Sequence, residues 1–324
     1  MRTAFVTGGS GFIGGALVRR LAAEGWTVRA LARSDAAARA VQARGAEPVR
    51  GELSDAEAMA TGARGAEVAF HAAAHLGDWG RRADFLEGNV HGTRNVVDAC
   101  RRAGVGRLVH VGTEAAVLAG APMVMIDERQ PLRPDSRALY SASKARAEGD
   151  VLAASGDGLE TVVVRPRFVW GRGDTTLLPA LAAMVRAGRF AWIGGGRHLT
   201  STTHVDNAVE GLVLAAAKGA PGAAYFVTDG KPVVFRDFVT RMLATKGLEA
   251  PTRSVPRPVA HALAVVGEAA WGAFPLPGRP PLTRFAYWVS ALETTIDISR
   301  ARAELGYAPV TTIDDGLAEM RGEP

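Results

Sequence analysis

Over its first half this chain alternates short runs of successive apolar residues with longer stretches of helical periodicity. Runs 2–7, 27–32, 47–50, 67–71, 107–113 and 160–165 read as strands. Between them, 11–25, 35–44, 83–104 and 141–155 repeat apolar positions every three to four residues and read as helices. Val162-Val163-Val164 is apolar on consecutive positions, as a strand covered on both faces must be. Strand and helix in strict alternation predict an α/β fold: a Rossmann-type, doubly wound parallel sheet with right-handed crossovers. After residue 167 the rhythm breaks, and Pro and Gly crowd 251–258 and 275–281. The expected organisation is a dinucleotide-binding domain over 1–167 and a mainly substrate-binding, smaller C-terminal lobe over 168–324, with segments near 200–230 returning to the main domain. Segment 257–274 reads as a packed amphipathic helix, too short and interrupted to span a bilayer. Its functional alternatives are a substrate-pocket wall and a membrane-surface contact.

Composition narrows the class. Of 324 residues, 48% are apolar and 22% charged, enough apolar material for a large core. The 38 Lys+Arg against 33 Asp+Glu give a net charge of +5, scattered without a basic block, which argues against nucleic acid as a partner. Cys100 is the only cysteine, so a disulfide framework and a Cys-based metal site are excluded. The seven histidines form no HxH or HExxH pattern, and no metal is expected. The chain enters its first strand without a leader-like segment, so a cytoplasmic protein with no transmembrane segment is expected.

Candidate chemistry begins at the first strand's end. In Thr7-Gly8-Gly9-Ser10-Gly11-Phe12-Ile13-Gly14, glycines recur every third residue between a strand and a helix. Gly8 suits a tight turn, Gly11 a close approach of backbone to pyrophosphate, and Gly14 close helix–strand packing. The N–H groups around Ser10, Phe12 and Ile13 then face the phosphates with the helix's positive end. The second strand lacks the acidic terminus that binds a ribose 2′-hydroxyl and instead ends Ala32-Arg33-Ser34. Arg33 there suits a 2′-phosphate, favouring NADP(H) with NAD(H) possible.

Tyr140 and Lys144 lie four apart on one face of a predicted helix. An ammonium beside a phenol lowers the phenol's pKa toward acid–base use. Thr113, closing the run 107–113, offers a hydroxyl that could hold a substrate oxygen beside Tyr140. Asn89 is either a backbone-satisfying group or a water-relay anchor near Lys144.

With Thr7–Gly14 and Tyr140–Lys144 come His71-Ala72-Ala73-Ala74, Asn89–Val96, Arg165–Gly171, His204–Asn207 and Ala303–Pro309. Carrying these, the chain resembles the extended short-chain dehydrogenase/reductases of the epimerase/dehydratase superfamily, nearest the 3β-hydroxysteroid dehydrogenase-like branch. The resemblance implies Tyr140 as general acid–base, Lys144 as its activator and Thr113 as the partnering hydroxyl. It places Ala72, Ala73 and Ala74 along the nicotinamide ribose, Pro166 with Phe168 and Val169 by the nicotinamide, and Glu52 with Leu53 at the adenine. It also makes a homodimer possible. Glu114, directly after Thr113, matches an acid of the dehydratases, but the second carboxylate of that arrangement is missing, so a structural role is expected.

The segments bounding the expected pocket are apolar. His75, Trp79, Glu114, Trp170 and Trp192 are the substrate-facing candidates. The expected activity is therefore hydride transfer between NADP(H) and a small hydrophobic ketone or secondary alcohol. The alternatives are an NDP-sugar epimerase or dehydratase with tightly bound NAD, and a non-catalytic NADP-sensing protein.

Overall fold

The computed structural model describes residues 2–322. Seven parallel strands form the central sheet: β1 Thr3–Thr7, β2 Thr27–Ala32, β3 Glu47–Arg50, β4 Val68–His71, β5 Arg107–Val111, β6 Glu160–Pro166 and β7 Ala223–Val227. Their spatial order is β7-β6-β5-β4-β1-β2-β3. Chain order reverses between β1 and β4, and ligands of open α/β sheets bind at such a switch point, beyond the strands' carboxyl ends.

Burial on both faces explains the legibility of these strands. Val162 and Val164 join one apolar cluster and Val163 the other. Ala4 and Val6 likewise face away from Phe5 across β1. One face is covered by α1 (Phe12–Ala23) and α6 (Val205–Lys218), which pack together. The other carries α3 (Ala56–Ala63), α4 (Gly92–Ala103) and α5 (Leu139–Ala153). Helix α2 is Asp35–Gln42, capped by Ser34, whose hydroxyl accepts from the Ala37 N–H.

Three sequence expectations need correction. Helix α3 went unpredicted: its alanines, Thr61 and Gly62 give no periodic large apolar stripe, and its start is set by the Asp55 side chain accepting from Ala58 N–H. The expected helix 83–104 is present but not regular: its backbone runs on over 82–103 and widens into a π turn over Leu86–His91 before α4. The fifth strand stops at Val111, and Gly112 and Thr113 turn into a short 3₁₀ helix over Glu114–Val117.

Beyond residue 167 small sheets replace the large one. Val233–Val234, Leu199–Thr200, Thr294–Ile296 and Met123–Ile126 line up in a four-stranded sheet, drawing one strand from the first half of the chain. A separate apolar core gathers Trp170, Trp192, Leu181, Phe235, Phe238 and Met242. Helix α7 (Arg257–Ala273) packs on α8 (Arg284–Ala291). It is a helix, as expected, but buries only Ala260 and Ala264. Among the described residues no helix is long and apolar enough to cross a membrane.

Candidate active site

The glycine loop follows β1 and opens α1 through the N-cap Gly11. Gly8 has φ +75°, and a Cβ there would lie 2.5 Å from the Ala73 nitrogen. A Cβ on Gly14 would lie 2.3 Å from the Gly8 carbonyl oxygen. Neither position tolerates a side chain, so turn and helix approach as closely as the sequence suggested. Gly11, exposed, donates its N–H to the Gly8 carbonyl at 2.9 Å. No side chain caps α1, so the first-turn N–H groups of Phe12, Ile13 and Gly14 stay available to an anion beside the exposed Ser10. The loop after β4 closes the other side: Ala72 donates to the Thr7 carbonyl at 3.1 Å, Ala72 and Ala73 lie against Gly8, and Ala74 after them is half-buried. A cradle of bare backbone that any Cβ would fill fits a dinucleotide pyrophosphate.

Sequence reasoning missed one cation here. Arg44, just past α2, donates from Nη1 to the Gly9 carbonyl at 2.6 Å and holds the glycine loop from beneath. Burial lowers its pKa. Arg33 stands exposed at the end of β2. Glu52 is exposed after β3 and accepts from the Ser54 hydroxyl at 2.7 Å. The Leu53 carbonyl accepts from Asn95 at 2.8 Å.

Helix α5 brings the phenol and the ammonium to the sheet's carboxyl edge. Tyr140 is half-buried close to Thr113 and Glu114, and both act on its phenol. Thr113 Oγ1 donates to Glu114 Oε2 at 2.8 Å, so toward the phenol its oxygen is left as an acceptor. Arg167, fully buried at the end of β6, donates to the other oxygen of Glu114 at 2.7 Å. Both guanidinium edges are used, since Nε and Nη2 meet Thr200 Oγ1 at 3.2 and 3.1 Å. Glu114 is therefore fastened between Thr113 and Arg167, in agreement with a structural role and not with a free acid.

The ammonium sits differently from expectation. Lys144 Nζ donates to the Val111 carbonyl at 2.9 Å and lies 3.2 Å from His110 Nε2. Burial brings its pKa down to about 8, against a smaller upward pull from Glu148. The Tyr140 phenol is correspondingly not lowered. Burial, and then the charge of Glu114, push its pKa up. The expected ammonium-driven fall is overturned because Lys144 is turned into the sheet.

Asn89 joins the two halves of the site. Its side chain accepts from the His75 N–H at 2.7 Å, donates back to the His75 carbonyl at 3.1 Å and donates to Ser143 Oγ at 2.9 Å. Ser143 donates in turn to the Tyr140 carbonyl. Asn89 thus ties the loop after β4 to α5.

Among the substrate-facing candidates, His75 and Trp79 are half-buried in the loop after β4, with His75 edge-on to Phe85. Trp170 and Trp192 are corrected to core residues. They are 0% and 1% exposed, and their indole N–H groups are satisfied by Asp229 Oδ2 and the Pro251 carbonyl. Phe285 of α8 was missed; its ring stands edge-on to Tyr140 with centroids 5.5 Å apart. Pro166 ends β6, and Phe168 follows in a left-handed turn at φ +48°, strained for a non-glycine residue. Val169 is half-buried and pairs with Thr203.

Comparison with known proteins agrees with this geometry. Residues 5–257 match the profile of the 3-beta hydroxysteroid dehydrogenase/isomerase family. The chain is 47% identical over 321 residues to a 4-hydroxy-2-methyl-3-oxo-4-farnesyl-3,4-dihydroquinoline-1-oxide ketoreductase of Stigmatella aurantiaca, covering 99% of this chain and 96% of that one. It is 36% identical to a 2-alkyl-3-oxoalkanoate reductase of Stenotrophomonas maltophilia, covering 98% and 97%. Among solved structures, a dTDP-glucose 4,6-dehydratase of Streptomyces venezuelae with NAD bound superposes with a TM-score of 0.76 at 26% identity, over 99% of this chain and 96% of that one.

Proposed function

Because the chain belongs to the 3-beta hydroxysteroid dehydrogenase/isomerase family, we propose that it is an NADP(H)-dependent ketoreductase of hydrophobic ketones working through Tyr140, Lys144 and Thr113. It is an oxidoreductase of CH–OH and C=O groups. The observation that carries the finer reading is the placement of Tyr140, on the first turn of α5, close to Thr113 and Glu114 at the sheet's carboxyl edge, beside a turn that only glycine can form.

In the reductive direction Tyr140 donates its phenolic proton to the oxygen of the former carbonyl. When bound, the nicotinamide supplies the hydride. A phenol held protonated by burial and by Glu114 suits that acid role and opposes the reverse oxidation, which needs the phenolate. Thr113, whose hydroxyl donates to Glu114, is held beside Tyr140 with its oxygen free to accept from the substrate's hydroxyl. Lys144, its pKa brought down to about 8 by burial, lies one helical turn from Tyr140 and would leave the Val111 carbonyl to reach the cofactor's ribose. Phe285, Trp79 and His75 supply the apolar and edge-polar surroundings of a lipophilic ketone. The relatives' names specify a farnesylated quinoline oxide and alkylated oxoalkanoates, both with apolar parts.

Selection of NADP(H) rests on Arg33, exposed where an acid would otherwise meet the ribose. The sugar-nucleotide dehydratase reading needs a carboxylic acid free to donate, whereas Glu114 has both oxygens bound. The test is absorbance-monitored NADPH oxidation with a panel of hydrophobic ketones and β-keto acids, NADH in parallel. Turnover that disappears in Tyr140→Phe supports the reading. Cofactor retained through purification with no net NADPH consumption overturns it in favour of an internally recycled NAD.

A further inference from the structure

A loop that receives an anion must turn its N–H groups toward it and its carbonyls away. Here the carbonyls of Gly8, Gly9 and Gly11 are each occupied. That of Gly8 accepts from the Gly11 N–H at 2.9 Å, and that of Gly11 from the Gly15 N–H at 3.0 Å, both bonds made within the turn and the start of α1. The Gly9 carbonyl instead takes its hydrogen bond from a side chain 35 residues away, Arg44 Nη1 at 2.6 Å. The same Nη1 stands 3.4 Å from the Gly11 carbonyl, so one guanidinium nitrogen spans two carbonyls of the loop. In a planar trans peptide the C=O and the following N–H point in opposite directions. Holding the Gly9 carbonyl therefore fixes where the Ser10 N–H points, and holding that of Gly11 does the same for Phe12.

The fold builds a seat for this arginine. Helix α2 ends at Gln42, and Val41 and Ala46 on either side of Arg44 are buried. Gly45 turns left-handed at φ +92°, where a Cβ would lie 2.8 Å from the Ala22 side chain of α1. The guanidinium then lies across the first turn of α1, in space that Gly15 leaves open. A Cβ on Gly15 would lie 2.4 Å from Arg44 Nη1 and 2.5 Å from its Cζ. Gly15 stands outside the every-third-residue series of Gly8, Gly11 and Gly14, and its missing side chain makes room for Arg44.

We propose that Arg44 is a positioning residue for the dinucleotide: seated over Gly15, it holds the Gly9 and Gly11 carbonyls and so aims the Ser10 and Phe12 N–H groups at the pyrophosphate. The pyrophosphate is common to NADH and NADPH, so Arg44 serves both alike, whereas Arg33 would meet only the 2′-phosphate. The inference rests on the reading of a nicotinamide dinucleotide at the glycine cradle and is independent of which ketone is reduced.

The test is titration of the full chain with NADPH and with NADH, followed by nicotinamide fluorescence. Arg44→Met should weaken both cofactors in step, by about tenfold. Gly15→Ala keeps the arginine and favours the helix, so it should keep or raise the melting temperature. Its methyl group displaces the guanidinium, and its loss of affinity should match that of Arg44→Met. The two changes combined should weaken binding no further than either alone, since both remove the same contact. Arg44→Lys, which keeps a charge and a donor, should bind within about threefold of the wild type. The proposal is overturned if Arg44→Met binds both cofactors as tightly as the wild type, or if the losses of the two single variants add in the double one. A loss confined to NADPH also overturns it, by moving Arg44 to the 2′-phosphate. A wild type that binds neither cofactor is the failure of the cofactor reading itself and takes the proposal with it.

Discussion

Thr113, Glu114 and Arg167 form one short chain of hydrogen bonds beside the Tyr140 phenol, and after burial the charge in its middle is what raises the phenol's proton affinity. Glu114→Gln keeps the shape and removes the charge. The pH–rate profile of alcohol oxidation should then move to lower pH, by roughly one unit or about tenfold in rate on its rising limb. A profile that stays in place while activity merely falls would mean that Glu114 does not act on Tyr140. The same change leaves Arg167 buried and unpaired, so a loss of about 3 kcal/mol in chemical denaturation should accompany it. At the cofactor end, Arg33→Ala should raise the KM for NADPH about tenfold and leave that for NADH in place; steady-state kinetics with both cofactors checks this, and equal changes would remove Arg33 from cofactor selection. Gly8 and Gly14 were legible from sequence because the need for a missing Cβ is local. Arg44, Arg167 and Phe285 were not, because each reaches its partner only through the folded sheet.

At the scale of elements, β4 and β5 carry buried histidines that must stay neutral. His71, fully buried, is bonded to Thr7 at 2.7 Å and Thr93 at 2.9 Å, and burial, then Lys144, bring its pKa down to about 3. His110 is driven below its ordinary value by the same two causes and by His71. The folded state thus binds fewer protons than the unfolded one between about 3 and 6.5, so stability rises with pH across that window and is lost on acidification. From pH 7 to 4 His71 alone should cost roughly 3 kcal/mol. Denaturant melts across that range should show the slope, and His71→Asn should flatten it; an unchanged slope would place the acid sensitivity elsewhere. Strands covered on both faces read plainly from sequence as unbroken apolar runs. Helix α3 did not, since Ala and Gly make no stripe, and neither did the orientation of α7, since periodicity reports a face without saying what covers it.

For the whole molecule, the reversal of strand order between β1 and β4 decides where chemistry can occur. It sets the glycine cradle beside the loop after β4, and α5 then delivers Tyr140 to the same edge from the far side of the sheet. Alternation of strand and helix made that arrangement predictable. The second half of the chain was less so: its short strands pair with partners far away in sequence, Met123–Ile126 with Thr294–Ile296 among them, and no local pattern announces such pairing. The central claim is reduction of a hydrophobic ketone by NADPH with Tyr140 as the acid. The measurement that tests it most directly is single-turnover NADPH oxidation with such a ketone, comparing the wild type with Tyr140→Phe at equal cofactor occupancy. The account predicts a transient that the variant lacks, a loss of at least about a hundredfold. A Tyr140→Phe enzyme that binds NADPH and reduces the ketone at the wild-type rate would contradict it.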